Sequence, residues 1–308
     1  YEPLSFFEIM TAMALVYFSR KKVEVALLEV GIGGLLDTTN IVHSTMSVIT
    51  SIGMDHEEML GNSIEEIAIQ KTGIFKRNQA VILGNLPTEA LQVAEVVGKA
   101  YNCDLHTFER EFKIEPFEEG FIFTHSDTQI HIPYLNLKGK YQLENAAVAL
   151  ECFLRFEKNF QLPVRESAIQ ESFQTVTWPG RMEVVKQSPK VILDGAHNVH
   201  ALKRFVETVK QYGKLEAQHT ILFSALKRKH YIEMVDYLRK ELPEARLVVT
   251  TFDYVGAIEK TDYPSSEVEF VEDAYPFIED YLTQASSKDT LWITGSLYFI
   301  SFMRKFFV

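Results

Sequence analysis

The sequence has little cysteine, no long apolar run and no excess of basic residues. Its 2 cysteines among 308 residues offer neither a disulfide framework nor the spacing of a metal site, which favours a reduced compartment. No apolar run approaches the roughly 20 residues that cross a bilayer, and the first residues do not form a secretory signal. With 42 acidic against 31 basic residues, the chain lacks the basic surface of a general nucleic-acid binder. We therefore expect a cytoplasmic protein that binds neither nucleic acid nor membranes.

The sequence also lacks the common signatures of phosphate binding. Gly31-Ile32-Gly33-Gly34 is a glycine-rich turn after an apolar segment, but it has neither the G-x-G-x-x-G nor the G-x-x-x-x-G-K-[ST] form. The second form, the Walker A motif or P-loop, occurs nowhere in the 308 residues. The glycine-rich turn alone is therefore weak support for a nucleotide site.

What the sequence does contain is an alternation of apolar strand-like segments and helical segments. The strands predicted in the first half are Val23–Val30, Met46–Ile52 and Ala80–Leu83. The S-x-x-E pattern of a capping box predicts that a helix begins at Ser63. After Trp178-Pro179-Gly180-Arg181 the alternation becomes regular, which predicts a second, smaller α/β domain with a mostly parallel sheet. We place the domain boundary between residues 181 and 182.

Polar residues stand where two of these predicted strands end. Glu29 lies at the end of the first strand, and Asp55 and His56 follow the second. Because ligands bind outside the carboxyl ends of strands in open α/β sheets, these ends predict a metal or phosphate site. A carboxylate and an imidazole can both bind Mg²⁺ or Mn²⁺, although an imidazole suits Mg²⁺ less well. The alternative is a glutamate that pairs with a helix N-terminus and a histidine that caps a turn.

A lysine lies on the apolar face of the helix predicted from Ser63. Helical spacing puts Lys71 on the same side as Ile64, Ile67 and Ala68. A buried ammonium group is costly unless it is paired. Lys71 is therefore either a lysine that extends to solvent or pairs with an acid, or a lysine held in a site and chemically altered.

Four other positions could contact a nucleotide or a substrate, and each also has an ordinary structural interpretation. Asp194 follows a predicted strand in LDGAHN, where it could bind a hydroxyl or an amine or could cap the next helix. Asn145 could read an adenine edge or bond to the backbone, and Arg181 could reach a phosphate or form a surface ion pair. Ser296 begins a helix whose N-terminus suits an anion, or it is a simple cap.

Eight segments, in this order, resemble the folylpolyglutamate synthase/dihydrofolate synthase family of the Mur-ligase superfamily. Together they cover essentially the whole chain, and DGAHN combined with EVG-x-GG-x-LD is specific to the folate branch. The segments are LSFFEIMTAMALVYF from Leu4, EVGIGGLLDTTN from Glu29, SIGMDHEEMLG from Ser51, IAIQKTGI from Ile67, YQLENAAVAL from Tyr141, WPGRMEVV from Trp178, ILDGAHN from Ile192 and GSLYF from Gly295.

The resemblance implies an ATP-dependent, ADP-forming amide ligase. In this family ATP phosphorylates a carboxylate of folate or dihydropteroate, and the amino group of L-glutamate then attacks the acyl phosphate, with Mg²⁺ or Mn²⁺ as the metal. It also implies an α/β fold, with a parallel-sheet, Mur-ligase-like central ATPase domain over residues 1–181 and a smaller, Rossmann-like glutamate-ligase domain over residues 182–308. A monomer is expected. By similarity, the metal ligands and catalytic residues are Glu29, His56 and a carbamylated Lys71; the ATP-site residues are Asn145, Arg181 and Asp194; and the substrate-site residues are Leu36, Asp37, Thr38, His197 and Ser296.

The sequence departs from the family pattern at two points. Leu35 stands where the family usually has arginine, and roughly the first hundred residues of the pattern, including the P-loop, are not present in the sequence. We therefore expect a central domain that is incomplete at its N-terminus, taken from a longer enzyme, and no ATP turnover from these residues alone. Two alternatives stay open: a Mur-type ligase for another carboxylate, and a non-catalytic, folate-binding paralogue or fragment.

Overall fold

The computed structural model describes residues 3–160, 163, 165–212, 218–262 and 268–308. The chain divides into two compact units. The first contains Tyr1–Ile114, Phe123–Gln129 and Glu144–Val164, and the second contains Glu115–Ile122, Ile130–Leu143 and Arg165–Val308. The domain boundary that we place after Arg181 stays a prediction. In the part of the chain that the structure describes, none of the helices has both the length and the apolar character of a membrane span.

The first unit contains a parallel three-stranded sheet with strands in the order β1-β2-β3. Its elements are α1 (Phe6–Lys21), β1 (Met46–Ile49), α2 (Glu57–Leu60), α3 (Ile64–Thr72), β2 (Ala80–Leu83), α4 (Thr88–Tyr101) and β3 (Asp104–Thr107). The prediction for α3 is confirmed, because Ser63 is its N-cap and Ser63 Oγ accepts a hydrogen bond from the Glu66 amide. Ile67 and Ala68 on α3 pack into one apolar cluster with Val81 and Leu83 of β2, so the helix is fixed on the sheet.

The segment Val23–Val30 was predicted as a strand, and that prediction is wrong. The structure has no strand there, and the side chains of this segment are largely exposed, Leu27 by 96%. An apolar run becomes a strand only where a neighbouring strand can pair with its backbone, and none of the described residues does so. Helix α1, just before it, begins with Ser5 in a capping box, but none of its residues is buried.

A second sheet and two helices follow in the chain. The sheet has three strands in the order β4-β5-β6. Its strands are β4 (Phe112–Phe117), β5 (Gly120–His125) and β6 (Thr128–Ile132), and the helices are α5 (Lys140–Phe160) and α6 (Glu166–Thr175).

The second unit is built on a six-stranded sheet in the order β11-β10-β9-β12-β8-β7, parallel except for β7, which runs antiparallel to β8. The strands are β7 (Glu183–Gln187), β8 (Lys190–Leu193), β9 (His219–Phe223), β10 (Arg246–Thr250), β11 (Glu269–Val271) and β12 (Thr290–Thr294). The helices are α7 (Val199–Tyr212), α8 (Tyr231–Glu241), α9 (Ala274–Gln284) and α10 (Leu297–Arg304). The predicted α/β fold with a parallel, Rossmann-like sheet is confirmed.

Both faces of the six-stranded sheet are covered, which explains its continuous apolar strands. In β12, Trp292 packs with the α7 and α8 side, whereas Leu291 and Ile293 pack with α9 and α10. All five residues of β12 are buried. Since consecutive side chains of a strand point to opposite faces, a strand covered on both faces has no polar alternation.

Candidate active site

The glycine-rich turn of residues 31–34 packs against the end of the helix that carries Lys71. The Leu35 amide donates a hydrogen bond to the Gln70 carbonyl oxygen at 2.7 Å. A Cβ atom on Gly34 would lie 2.7 Å from the Gln70 oxygen and 2.9 Å from the Lys71 oxygen. Both contacts are to backbone atoms that cannot rotate away, so only glycine fits at this position. The turn therefore serves helix packing, which explains why it has no phosphate-binding form.

Asp37, predicted as a substrate-site residue, holds this turn together. Its Oδ2 accepts hydrogen bonds from the amides of Gly31 at 3.0 Å and Ile32 at 3.1 Å, and its Oδ1 accepts one from the Thr39 amide at 2.9 Å. Partial burial disfavours the charged carboxylate, but the hydrogen bonds from Thr39, Ile32 and Gly31 outweigh it and lower the pKa of Asp37. The carboxylate thus fixes the segment from residue 31 to residue 39.

The two neighbours of Asp37 in the predicted substrate segment differ in exposure. Leu36 is 87% exposed, so its side chain is accessible to a ligand. Thr38 is half-buried, and its hydroxyl lies 3.1 Å from the hydroxyl of Thr11 on α1. The predicted substrate contacts of both residues stay predictions.

The Lys71 side chain is half-buried, and its ammonium group makes no hydrogen bond or ion pair with any described residue. Burial lowers the pKa of its ammonium group, and the nearby negative charge of Asp55 only partly opposes this shift. The described contacts therefore include no acid that pairs with Lys71, which was one of our alternatives. A lysine with a lowered pKa is more often in its neutral, nucleophilic form than an ordinary surface lysine.

His56 lies at the start of α2 in the left-handed conformation, with φ of 53°. Its side chain makes no capping hydrogen bond, so it is not the turn-capping histidine of our alternative interpretation. The ring nitrogen Nε2 lies 3.8 Å from Asp55 Oδ2, and both side chains are partly exposed. Asp55 thus stands beside His56 and also acts electrostatically on Lys71.

The prediction that Glu29 lies at a strand end is wrong, because the residue lies on an exposed, irregular segment. It forms no hydrogen bond or ion pair with any described residue. Its predicted role as a metal ligand stays a prediction, as does the same role for His56 and Lys71.

Asp194 is a buried carboxylate at the carboxyl end of β8. Its Oδ2 accepts a hydrogen bond from the Met182 amide at 3.1 Å, and its Oδ1 accepts one from the Ala196 amide at 3.0 Å. Burial raises the pKa of Asp194, although both amides and the positive charge of Arg181 oppose the shift. A carboxylate held by two backbone amides cannot change its orientation, so any ligand contact it makes is fixed in advance.

Arg181 passes close to the turn that follows Asp194. A Cβ atom on Gly195 would lie 2.8 Å from one terminal nitrogen of Arg181, so glycine makes room for the guanidinium group. Tyr141 belongs to the same group, because burial and the charge of Asp194 raise its pKa while Arg181 opposes the shift. The sequence reasoning did not select Tyr141, nor Asp55 as a site residue. Tyr141 begins the YQLENAAVAL segment and Asp55 directly precedes His56, and these adjacencies are the only signals for them in the sequence.

Ser296 and His197 lie at the same edge of the sheet as Asp194. Strands β8 and β12 are parallel neighbours, and the Gly295 amide after β12 donates to the Ala196 carbonyl oxygen at 3.0 Å. Ser296 is the N-cap of α10, where its buried hydroxyl accepts a hydrogen bond from the Tyr298 amide. His197 Nδ1 lies 2.9 Å from the Gly195 oxygen. The edge thus brings Arg181, Asp194, His197 and Ser296 together, as parallel strand ends predict.

Asn145 lies on α5, and its side chain is exposed together with that of Ala149 one turn later. The face that these two residues share is therefore open to solvent. The predicted adenine contact of Asn145 stays a prediction.

Two family models match the chain. The Mur ligase middle domain matches residues 6–153, and the Mur ligase, glutamate ligase domain matches residues 180–297. The dihydrofolate synthase/folylpolyglutamate synthase of Bacillus subtilis is 36% identical over 312 residues, which cover 97% of this chain and 71% of that protein. The folylpolyglutamate synthase of Lacticaseibacillus casei is 29% identical and covers 97% of this chain and 70% of its own length.

Solved structures agree with these relatives. A folylpolyglutamate synthase of Mycobacterium tuberculosis, complexed with ADP and AMPPCP, superposes with a TM-score of 0.83 at 26% identity. The match covers 99% of this chain and 73% of that one. A folylpolyglutamate synthase in complex with AMPPCP and folate superposes with a TM-score of 0.81 at 28% identity, covering 99% of this chain and 71% of that one.

Proposed function

Because the chain belongs to the folylpolyglutamate synthase/dihydrofolate synthase family of Mur ligases, whose members are ATP-dependent ligases, we propose that it catalyses ATP-dependent addition of L-glutamate to a folate. Dihydropteroate is a second acceptor in this proposal, as the name of the Bacillus subtilis relative suggests. The observation that carries the proposal is the unpartnered, half-buried Lys71 with a lowered pKa, on a helix end clamped by the glycine-rich turn. An ordinary structural lysine in this position would be paired.

The proposed reaction has two steps. In each step one bond forms at the reacting atom and another bond breaks. A carboxylate oxygen of the folate attacks the γ-phosphorus of ATP, and the bond to the bridging oxygen breaks, which releases ADP and leaves an acyl phosphate. The neutral amino group of L-glutamate then attacks the acyl carbon, phosphate leaves, and the nitrogen loses a proton. The product is an amide, with ADP and inorganic phosphate.

We propose that Lys71 acts as a carbamate. Its neutral Nζ adds to the carbon of CO₂ and loses a proton, which turns a cation into an oxygen donor with negative charge. The lowered pKa favours this step because only the neutral amine carries the lone pair that attacks.

The donor set suits a divalent cation that prefers oxygen ligands. Carbamate oxygens of Lys71, the Glu29 carboxylate and the His56 imidazole would hold Mg²⁺ or Mn²⁺. When bound, such an ion neutralises charge that develops on the transferred phosphoryl group. The fit rests on the Lys71 amine and on the His56 ring, neither of which is used by a hydrogen bond to another side chain.

In the second unit, the proposed roles follow from the fixed orientation of the carboxyl edge. The Arg181 guanidinium would bind a phosphate oxygen, and Asp194, oriented by its two amides, would bind the nucleotide. The buried Ser296 hydroxyl and His197 would contact the glutamate. In the first unit, Asn145, exposed on α5, would contact the adenine.

The activity test uses the protein expressed from its complete reading frame. ADP release is measured with ATP, L-glutamate and one acceptor at a time: dihydropteroate, tetrahydrofolate or a UDP-muramyl peptide. We expect release with the pteridine acceptors and none with the muramyl acceptor. Release with the muramyl acceptor alone would favour another Mur-type ligase, and no release with any acceptor would favour a non-catalytic paralogue.

The carbamate is tested separately by ¹³C NMR of the protein in ¹³C-labelled bicarbonate with Mg²⁺. We expect one carbamate resonance that is absent in Lys71→Arg, since a guanidinium group does not react with CO₂. Lys76→Arg, on the segment just after the same helix, is the matched control and should keep the resonance. A spectrum without a carbamate signal in the active protein would contradict the proposal for Lys71.

A further inference from the structure

Two histidines and a glutamate from three separate elements meet in the first unit. His106 lies on β3, His125 ends β5, and Glu151 lies on α5. One ligand atom from each residue lies within 4.8 Å of both others, and this is the one such group of three among the described residues. None of the three belongs to the predicted active site.

The Glu151 side chain is 0% exposed, and its two oxygens face the two imidazoles. Oε1 lies 3.1 Å from His106 Nδ1, and Oε2 lies 3.0 Å from His125 Nδ1. The second pair is close but not aligned as a hydrogen bond, and neither Glu151 Oε2 nor His125 Nδ1 bonds to another described group. A buried carboxylate oxygen that accepts no hydrogen bond costs free energy, so these two atoms point to a ligand between them.

The orientation of His106 is set by a carboxylate on its other side. His106 Nε2 lies 3.0 Å from Asp104 Oδ2, so the ring donates its Nε2 proton to Asp104 when neutral. The lone pair is then on Nδ1, which faces Glu151. Histidines that bind metals usually donate their other ring proton to a carboxylate in this way, because it fixes the tautomer and raises the basicity of the ligating nitrogen.

We propose that His106 Nδ1, His125 Nδ1 and a Glu151 oxygen bind one zinc ion. Two imidazoles and a carboxylate are a ligand set that suits Zn²⁺ better than Mg²⁺ or Ca²⁺. Neighbouring ligands of a tetrahedral zinc site stand roughly 3.3 Å apart, given metal–ligand bonds of about 2.0 Å. The 3.0 Å between Glu151 Oε2 and His125 Nδ1 needs only a small expansion to reach this value, and one ring nitrogen of His106 lies within 4.8 Å of a ligand atom on each of the other two residues.

A cavity next to the cluster provides room for a fourth ligand. Its volume is about 350 Å³, and both histidines line it together with Thr124, whose buried hydroxyl has no hydrogen-bond partner among the described residues. Three protein ligands and one open position are typical of zinc sites that hold a water molecule. The polar lining of this cavity suits such a water.

Arg155 is the competitor that the ion must displace. Its Nε donates to Glu151 Oε1 at 3.1 Å, and one terminal nitrogen lies 2.8 Å from His106 Nδ1. Zinc entry requires only the second contact to break, because the first uses the oxygen that does not face His125. Arg155 is 19% exposed and also lies 3.9 Å from Asp104 Oδ2, so its guanidinium has another carboxylate to approach.

The competing interpretation is an ionic network without metal, in which His106 is an imidazolium between Glu151 and Asp104. Burial disfavours that charge, but both carboxylates outweigh it and raise the pKa of His106. This network leaves Glu151 Oε2 and His125 Nδ1 unexplained. Zinc binding to variants of His125 separates the two interpretations.

The experiment measures zinc binding to the complete protein after removal of metals with a chelator. Excess Mg²⁺ is present throughout to fill sites that prefer oxygen ligands. Zinc affinity is determined by competition with a chromogenic chelator, and Co²⁺ serves as a spectroscopic probe because its visible bands report tetrahedral coordination. We expect one zinc equivalent, and tetrahedral bands with Co²⁺.

The variants are chosen so that loss of binding is not loss of folding. His125→Asn removes a ligand atom that makes no hydrogen bond, and we expect at least about 100-fold weaker zinc binding with an unchanged circular dichroism spectrum. Asp104→Asn, which removes the carboxylate that orients His106 and lies near Arg155, should weaken binding about 10-fold. His230→Asn, on an exposed helix start, and His56→Asn, in the predicted active site, should leave zinc affinity unchanged.

Two outcomes overturn the proposal. If the wild-type protein binds no zinc equivalent more tightly than His125→Asn does, the cluster is an ionic network. If His56→Asn weakens binding and His125→Asn does not, the zinc belongs to the other region.

Discussion

The two regions that contain the proposed ligase residues differ in how far hydrogen bonds hold the side chains of those residues in place. In the N-terminal region, residues 29–74, the scaffold is fixed, but Glu29 and Lys71 make no polar contact with any described residue. The other region is the carboxyl edge of the six-stranded sheet, defined as Arg181, Asp194, His197 and Ser296. There the side chains of Asp194, His197 and Ser296 are hydrogen-bonded to the backbone around them.

The contrast between the two regions identifies the residues that have structural roles in addition to chemical ones. A side chain that accepts hydrogen bonds from backbone amides stabilises the fold, so its removal lowers stability as well as activity. A half-buried ammonium group without a hydrogen-bond partner destabilises the fold, so its removal lowers activity alone. Four substitutions test this distinction.

Replacing Lys71 should have the largest effect, and on activity only. For Lys71→Met in the protein from the complete reading frame, we expect kcat to fall at least about 100-fold because the proposed ligand of the metal that screens the phosphoryl group would be lost. In buffer without Mg²⁺ and bicarbonate, where Lys71 is an ammonium group, the free energy of unfolding should stay equal or rise, since a costly buried charge is removed. Steady-state ADP release and urea unfolding measure the two quantities.

The control for this prediction is another half-buried lysine nearby. Lys76 Nζ donates to Asn40 Oδ1 at 2.7 Å and to the Asn40 carbonyl oxygen at 3.1 Å. Lys76→Met should therefore lower the free energy of unfolding by about 1–2 kcal/mol and leave kcat nearly unchanged. Equal losses of free energy of unfolding in Lys71→Met and Lys76→Met would contradict this prediction.

Asp194→Ala should combine a loss of stability with a loss of activity. It leaves the amides of Met182 and Ala196, both in buried residues, without acceptors, and we expect about 3 kcal/mol less free energy of unfolding. Asp194→Asn keeps one acceptor oxygen and should lose about half as much. Asp253→Ala, on the exposed surface of the same unit, should change stability by less than about 0.5 kcal/mol. Thermal or urea unfolding decides this, and an Asp194→Ala protein as stable as wild type would contradict the structural role.

Gly34→Ala tests whether the scaffold of the N-terminal region is as rigid as the packing indicates. Its Cβ atom would contact two carbonyl oxygens of α3, and we expect about 2 kcal/mol of destabilisation because the backbone cannot move aside. Leu36→Ala, two residues further and 87% exposed, is the control and should be nearly neutral in urea unfolding. If Gly34→Ala is also neutral, the turn is not clamped on the helix.

Sequence reasoning succeeded where a local signal and a tertiary contact agree. The capping pattern at Ser63 placed α3, and the regular alternation after Arg181 predicted a mostly parallel second sheet. In the structure Asp194 and Ser296 follow neighbouring strands of that sheet, because adjacent parallel strands end at one edge. The place of Lys71 on a partly buried face followed from helical spacing alone.

It failed where the outcome depends on partners that lie far away in the chain. Val23–Val30 has the composition of a strand, yet no described strand pairs with it. Glu151 seemed an ordinary helix residue, and its contacts with His106 and His125 depend on how α5 meets β3 and β5, which no local pattern encodes. Strands β7 and β11, missed in the sequence, are short and lie at the two edges of their sheet.

The smallest expected effect concerns Asp37, and it has a defined dependence on pH. Because hydrogen bonds lower the pKa of Asp37 in the folded protein, its stabilisation is complete above the unfolded pKa of about 3.9 and is lost as the pH falls through the folded value. Asp37→Asn turns an amide toward some of the same donors, so we expect about 1 kcal/mol of destabilisation at pH 7, at the low end because solvent screens a partly exposed carboxylate. The difference in the free energy of unfolding between wild type and variant, measured by urea unfolding at a series of acidic pH values, should shrink below about pH 4. A difference that stays constant or grows in acid would mean that the charge of Asp37 does not hold the turn, and the scaffold of the N-terminal region would then depend on glycine packing alone.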